Sequence, residues 1–192
     1  MTLYLPIGEP ATELLRRDPL ALLIGMVLDQ QVPMEKAFAG PYELAQRLGH
    51  EPTATEIAHY DPDALVEVFA QRPALHRFPK AMAGRVQQVC QALVNDYDGD
   101  AAALWSTAAD GPELLRRVAD LPGFGKQKAQ IFVALLAKRF AVCPPGWQEA
   151  VGDYGPAEAY RSVADVVDES SLAKVRANKK AMKAAAKAAA PG

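Results

Sequence analysis

Apolar residues recur along this chain at the three- and four-residue spacing of amphipathic helices, and no run of alternating β-branched residues marks a strand. The 15 prolines cut the sequence into helix-sized pieces, because proline ends helices or begins new ones. The pattern predicts helices over 10–17 and 19–30, then a short one over 41–48 closed by Gly49. Thr53 followed by Glu56 makes a capping box for 54–59, and Asp61-Pro62 opens a helix running to residue 70. A long amphipathic helix over 79–96 turns Met82, Val86, Val89, Cys90 and Leu93 inward. Helices over 112–119 and 126–138 flank a break at Leu121–Gly125. The stretch 141–156 reads as an irregular connector, 156–167 as a helix, and the last twenty residues as a frayed helix or disorder with no apolar stripe to bury. The expected fold class is all-α.

Half of the 192 residues are apolar and 23% are charged, ordinary for a globular chain with a packed core. No apolar run reaches the ~18 residues that span a bilayer, and the first thirty residues lack the pattern of a secretory leader. The expectation is a cytoplasmic monomer without membrane association, near the nucleoid if bacterial. Cys90 and Cys143 are too few for a disulfide framework, a four-cysteine zinc site or an iron–sulfur cluster, and read as buried reduced thiols. His50, His59 and His76 lack metal-ligand spacing. Trp105, Trp147 and Tyr154 read as core aromatics.

The net charge of −2 hides an asymmetry. Residues 172–192 carry Lys174, Arg176, Lys179, Lys180, Lys183 and Lys187 with no acid, and the remainder has 15 basic against 23 acidic residues, a net −8. An acidic body does not attract nucleic acid, so any such contact must come from a local site together with this basic tail, whose charges would release counterions from DNA.

The local site is the stretch LLRRVADLPGFGKQKAQIFVALL, two amphipathic helices separated by Pro-Gly-x-Gly. Gly123 and Gly125 permit a tight reversal that leaves amide hydrogens facing outward. The second helix starts at the turn, so its unsatisfied N–H groups and positive dipole end point the same way, joined by Lys126 and Lys128. Such a site grips a phosphate without reading a base.

This hairpin resembles the helix-hairpin-helix of the HhH-GPD superfamily of DNA glycosylases, matching at Leu121, Pro122, Gly123, Phe124 and Gly125 and again at Ala129. IGMVLDQQV resembles the family's early helix, and FPKAMAGRVQQVC its Lys-Ala helix, so the resemblance covers roughly 20–140. It implies double-stranded DNA as partner and a two-lobed domain over 1–168, with a central lobe over 21–138 and a second from 1–20 plus 139–168, followed by the tail 169–192. It also implies a base flipped from the stack, Gln31 filling the gap, and a monovalent cation held by the carbonyls of Ala119, Leu121 and Phe124. No other cofactor is expected.

Where the family keeps an aspartate, about 20 residues beyond the hairpin, to stabilise a cation-like transition state or prepare water, this chain has Cys143-Pro144-Pro145. The nucleophilic lysine of bifunctional members falls on Gln127. Lys128 is one residue along, rotated by about 100°, so no lyase is expected. Replacement carboxylates are Asp29, Glu149 and Asp153, with Asp29 beside Gln30–Gln31 the preferred catalytic candidate. Three functions follow: a monofunctional glycosylase hydrolysing the N-glycosidic bond of a damaged base, a non-catalytic DNA-binding protein that recognises lesions or DNA structure, or, ranked last, a protein in which the hairpin is a protein-interaction or purely structural element and Lys126 and Lys128 are dispensable for DNA affinity.

Overall fold

The computed structural model describes residues 3–189, apart from the side chains of 186, 187 and 189, so Lys187 of the basic tail lies outside the described side chains. Eleven α-helices are described: α1 (Glu9–Arg17), α2 (Pro19–Leu28), α3 (Met34–Leu48), α4 (Ala54–His59), α5 (Pro62–Ala70), α6 (Pro79–Tyr97), α7 (Ala103–Ser106), α8 (Gly111–Ala119), α9 (Lys126–Phe140), α10 (Trp147–Val151) and α11 (Glu169–Ala189). Three-residue 3-10 turns lie at Gly152–Tyr154 and Val163–Asp165. Among the described residues there is no strand, and no helix is long and apolar enough to cross a membrane. The fold is all-α.

Short polar residues start the helices where the sequence places them. Asp18, Thr53, Asp61 and Asp110 each accept a backbone N–H from the first turn that follows, satisfying a donor that the helix cannot. α2 is apolar on every face because it runs through the core, with Leu20 through Leu28 all buried. Its crossing with α3 is close enough to require glycine. A Cβ on Gly25 would sit 2.7 Å from the Phe38 ring, and one on Gly40 would strike the Leu28 side chain at 2.5 Å. α6 packs on α4 and α5, and α9 packs on α8 and α10.

Three expectations fail, each for a tertiary reason. The helix expected over 41–48 begins at Met34, with Pro41 in its interior, and the buried α2 contact holds it together across the missing N–H. The segment expected as a helix over 156–167 is mostly turn, because Asp165 faces inward. Its carboxylate takes an ammonium hydrogen from Lys138 at 2.6 Å and accepts the N–H groups of Arg161 (2.9 Å) and Ser162 (3.3 Å). The tail expected to be frayed or disordered is the 21-residue helix α11, and its first turns do have a buried side: Leu172 and Val175 are covered. Ser171 and Asp168 cap its start with reciprocal hydrogen bonds.

The cysteines divide. Cys90 is buried, and burial pushes its thiol up to about 12, whereas Cys143 is exposed, contrary to the expectation of two buried thiols. Trp105 and Tyr154 are buried, Trp105 meeting Phe132 edge-on at 5.8 Å, and Trp147 is half-buried.

Candidate nucleic-acid interface

The hairpin between α8 and α9 is fixed from below by two apolar anchors. Leu121 and Phe124 are buried, Phe124 lying edge-on to Phe132 with centroids 6.1 Å apart, and the Phe124 N–H donates to the Leu121 carbonyl at 3.0 Å. Gly123 and Gly125 face solvent and Pro122 is half-buried. Only Gly123 needs its glycine for conformation, with φ at +79°. Gly125 has φ −87° and ψ 173°, open to any residue, and a Cβ there would meet nothing. Its bareness keeps the space before α9 open. No side chain caps α9, so its first N–H groups point into that space with the positive end of the helix behind them.

The two hairpin lysines diverge. Lys126 is exposed at the start of α9, whereas Lys128 is half-buried and turned inward, its ammonium donating to the Val27 carbonyl at 2.9 Å and standing 5.5 Å from the Phe124 ring centre. Burial brings the Lys128 ammonium down to about 8, opposed by Asp29 and assisted by Arg85. Arg85, on α6, has its guanidinium beside the turn, where a Cβ on Gly123 would collide with it. Sequence reading missed this third cation because it is 38 residues from Gly123.

Val27 belongs to the C-terminal turn of α2, and its carbonyl also accepts the Gln30 side-chain amide at 2.9 Å. The Gln30 amide reaches the Met82 sulfur at 3.3 Å as well. Below it lies His76, which the sequence left without a role. The Phe78 N–H donates to His76 Nδ1 at 3.0 Å, so Nε2 carries the proton and donates to the Gln30 carbonyl at 3.0 Å. Burial lowers the His76 pKa, which suits this neutral tautomer. With Gln30 held on both sides, Gln31 is exposed and takes φ +56°, a left-handed conformation that a non-glycine residue occupies at a cost. Phe78 stands exposed on the other side of His76, with the Arg77 guanidinium 5.3 Å from its ring centre.

Asp29 caps the C-terminus of α2 next to these residues and is partly buried. Burial raises its carboxyl pKa. The positive charges of Lys179 and Lys128 act against that rise, and Glu35 adds to it. No described donor hydrogen-bonds or ion-pairs with the carboxylate, and no unpartnered side-chain oxygen among the described residues is sealed from solvent. Asp29 therefore has no bonded partner among the described residues and keeps part of its surface in contact with solvent. The other two candidates face solvent: Glu149 is exposed on α10, and Asp153 is exposed and paired with Arg161 at 3.3 Å.

At the positions where the resemblance calls for an aspartate and a lysine, other bonds are made. The Pro144 and Pro145 carbonyls accept the N–H groups of Trp147 (3.2 Å) and Gly111 (2.8 Å), which fastens this connector to the start of α8. Gln127 donates its side-chain amide to the Tyr154 hydroxyl at 2.8 Å. At the presumed cation position, the carbonyls of Ala119 and Phe124 accept no backbone N–H, and that of Leu121 retains one lone pair. Among the described residues, no group of three or more His, Cys, Asp or Glu side chains is arranged to hold a metal ion.

No curated protein and no solved structure matches the chain. The family model for HhH-GPD superfamily base excision DNA repair proteins matches residues 24–190, a span that takes in α3 to α11, the hairpin and both ends of the site. With the match running through the glycine turn between α8 and α9, the exposed Gln31 and the basic helix alike, the chain belongs to the HhH-GPD superfamily of base excision DNA repair proteins.

Proposed function

We propose that this protein is a monofunctional DNA glycosylase whose working carboxylate has moved from the segment after the hairpin to the end of the early helix, at Asp29. The observation that carries the reading is the juxtaposition at the α2 terminus: a reachable carboxylate without a partner, beside an exposed Gln31 and tied through the Val27 carbonyl to the first turn of the hairpin helix. Gly123, Gly125 and Lys126, with the open N–H groups of α9, grip a DNA phosphate. Leu121, Pro122 and Phe124 hold the turn in shape. Gln31 enters the duplex where the target nucleotide has left it, and Phe78 offers an apolar face for the neighbouring base. With the two lobes that the resemblance implies, the DNA would lie across the end of α2 and the start of α9.

The chemistry asked of Asp29 is modest. As a carboxylate it stabilises the sugar cation that forms as the bond from C1′ to the base nitrogen breaks with both electrons going to the base. It then takes a proton from the water that attacks C1′, and the departing base takes up a proton from solvent. A carboxyl raised by burial is the better base for this step. A monovalent cation on the carbonyls of Ala119, Leu121 and Phe124 would add positive charge at the phosphate-facing turn.

The committed hydrogen bond of Gln127 and the proline-rich stand-in for the aspartate favour a second reading, a non-catalytic protein that recognises lesions or DNA structure. One experiment separates the two. Labelled duplexes carrying alkylated, deaminated, oxidised or mismatched bases are incubated with the protein, treated with mild alkali to cut abasic sites, and scored for binding in parallel. Base release that disappears in Asp29→Asn while binding persists supports the glycosylase; binding without release across the panel supports the second reading.

A further inference from the structure

The basic C-terminal helix has two unlike halves, and the side that is buried in the first half carries the lysines of the second. Leu172 and Val175 are buried, the Lys174 ammonium stands 4.6 Å from the Tyr160 ring centre, and Asn178 donates to the Tyr160 carbonyl at 3.0 Å, so the first half of α11 is packed in place. Arg176, Lys179, Lys180 and Lys183 follow at positions i, i+3, i+4 and i+7, which puts them within about 100° of arc on one face. One contact with the α2–α3 region sets the direction of that face, and a charge effect agrees with it. Arg176 pairs with Glu35 in the first turn of α3, and the Lys179 charge acts on Asp29. Lys179, Lys180 and Lys183 are exposed and form no salt bridge with any described residue.

A free tether would hold its charges in no fixed direction. Here a helix anchored at its start, and pinned to α3 by Arg176, carries three unpaired ammonium groups onward over a rise of about 6 Å from Lys179 to Lys183. The rest of the molecule is acidic, so this face is where a polyanion is attracted. We propose that α11 is a docked second grip on DNA, its Lys179–Lys180–Lys183 face holding the backbone of the strand that passes Asp29 while the hairpin holds another phosphate. The proposal rests on the DNA-docking reading above.

Three phosphate contacts correspond to a slope of about 2.7 in log affinity against log salt. Duplex binding is measured from 50 to 300 mM salt for the full chain and three variants. The first, Lys179→Gln with Lys180→Gln and Lys183→Gln, removes the face. The second, Lys179→Ala and Lys183→Ala with Ala181→Lys and Ala185→Lys, keeps composition and net charge but moves two lysines to the far side of the helix. The third, Lys126→Glu, damages the hairpin alone. Circular dichroism verifies that helix content is unchanged. The expected result is a salt slope shallower by about 2 to 3 in the first variant and by a similar direction and more than half that amount in the second. A slope unchanged in the first variant overturns the proposal, and a fall in affinity with Lys126→Glu in that same series leaves the hairpin reading standing. A loss in the first variant that the second restores makes the tail a tether and also overturns it. Failure of the full chain to bind duplex at any salt overturns both.

Discussion

Replacing Lys138 with methionine tests how the end of α9 is joined to the turn that carries α11. The Lys138 and Asp165 side chains are 6% and 0% exposed and meet at 2.6 Å, and the ammonium also donates to the Pro156 carbonyl at 2.7 Å. Methionine keeps the aliphatic stem but leaves a buried carboxylate with only the N–H groups of Arg161 and Ser162. Breaking a buried pair from one side costs about 3 to 5 kcal/mol, and the two surviving hydrogen bonds put this site near 3. For a chain of this size that is a fall in Tm of roughly 6–12 °C. Urea unfolding at pH 7, followed by far-ultraviolet circular dichroism, measures the loss from the midpoint at constant m-value. The pair of substitutions Lys138→Met and Asp165→Leu, which removes the stranded charge, is expected to recover more than half of it. A loss below about 1 kcal/mol for the single change, or a double variant less stable than the single, refutes the reasoning.

Asp29→Asn is expected to raise Tm at pH 7 while abolishing base release. A carboxyl whose folded pKa is raised costs stability once ionised, so the gain fades as pH falls through the window between the ordinary value and the raised one; melts at pH 7 and pH 4 read it. Lys128 is the reverse case. Its folded value of about 8 lies below the ordinary 10.5, so the unfolded chain binds more protons between the two and wild-type stability gains on Lys128→Met as pH rises from 7.5 to 10, read by parallel melts. Gly111→Ala is expected to cost about 1–3 kcal/mol, because the new Cβ overlaps the Trp147 and Gly146 backbone, which cannot rotate away; chemical unfolding measures it. His76→Leu is expected to weaken lesion binding by releasing the Gln30 carbonyl, with global stability reduced less than by Lys138→Met; titration of a lesion duplex alongside urea unfolding separates the two effects.

What sequence reading could reach was local. The hairpin announced itself through glycine, proline and helix-start chemistry within five residues, and Gln31 and Asp29 were singled out through the resemblance of IGMVLDQQV to the family's early helix. The misses are all long-range. Pro41 looks like a helix start until Phe38 and Leu28 are known to grip Gly25 and Gly40. Asp165 looks like a helix residue until Lys138 arrives from 27 residues away, and His76 has no meaning without a carbonyl 46 residues earlier. The tail misled through its alanine and lysine content, since among its described residues just two buried apolar side chains, Leu172 and Val175, anchor it, and its polar anchors Tyr160 and Glu35 are distant in sequence.

The Val27 carbonyl is shared by Gln30 and Lys128, one from its own loop and one from the hairpin helix 101 residues on. That single oxygen joins the hairpin helix to the loop that carries the outward Gln31, so under the function proposed above the phosphate grip and the glutamine would work as the two ends of one gauge. A protein so built and so acting would measure the duplex: undistorted B-form DNA would offer a phosphate and a gap at one separation, a helix buckled around a faulty base another, and only the second would close on both ends of the gauge at once. Sliding along sound DNA would then be held by charge alone, and arrest would require the damage itself to bend the duplex to the protein's fixed span.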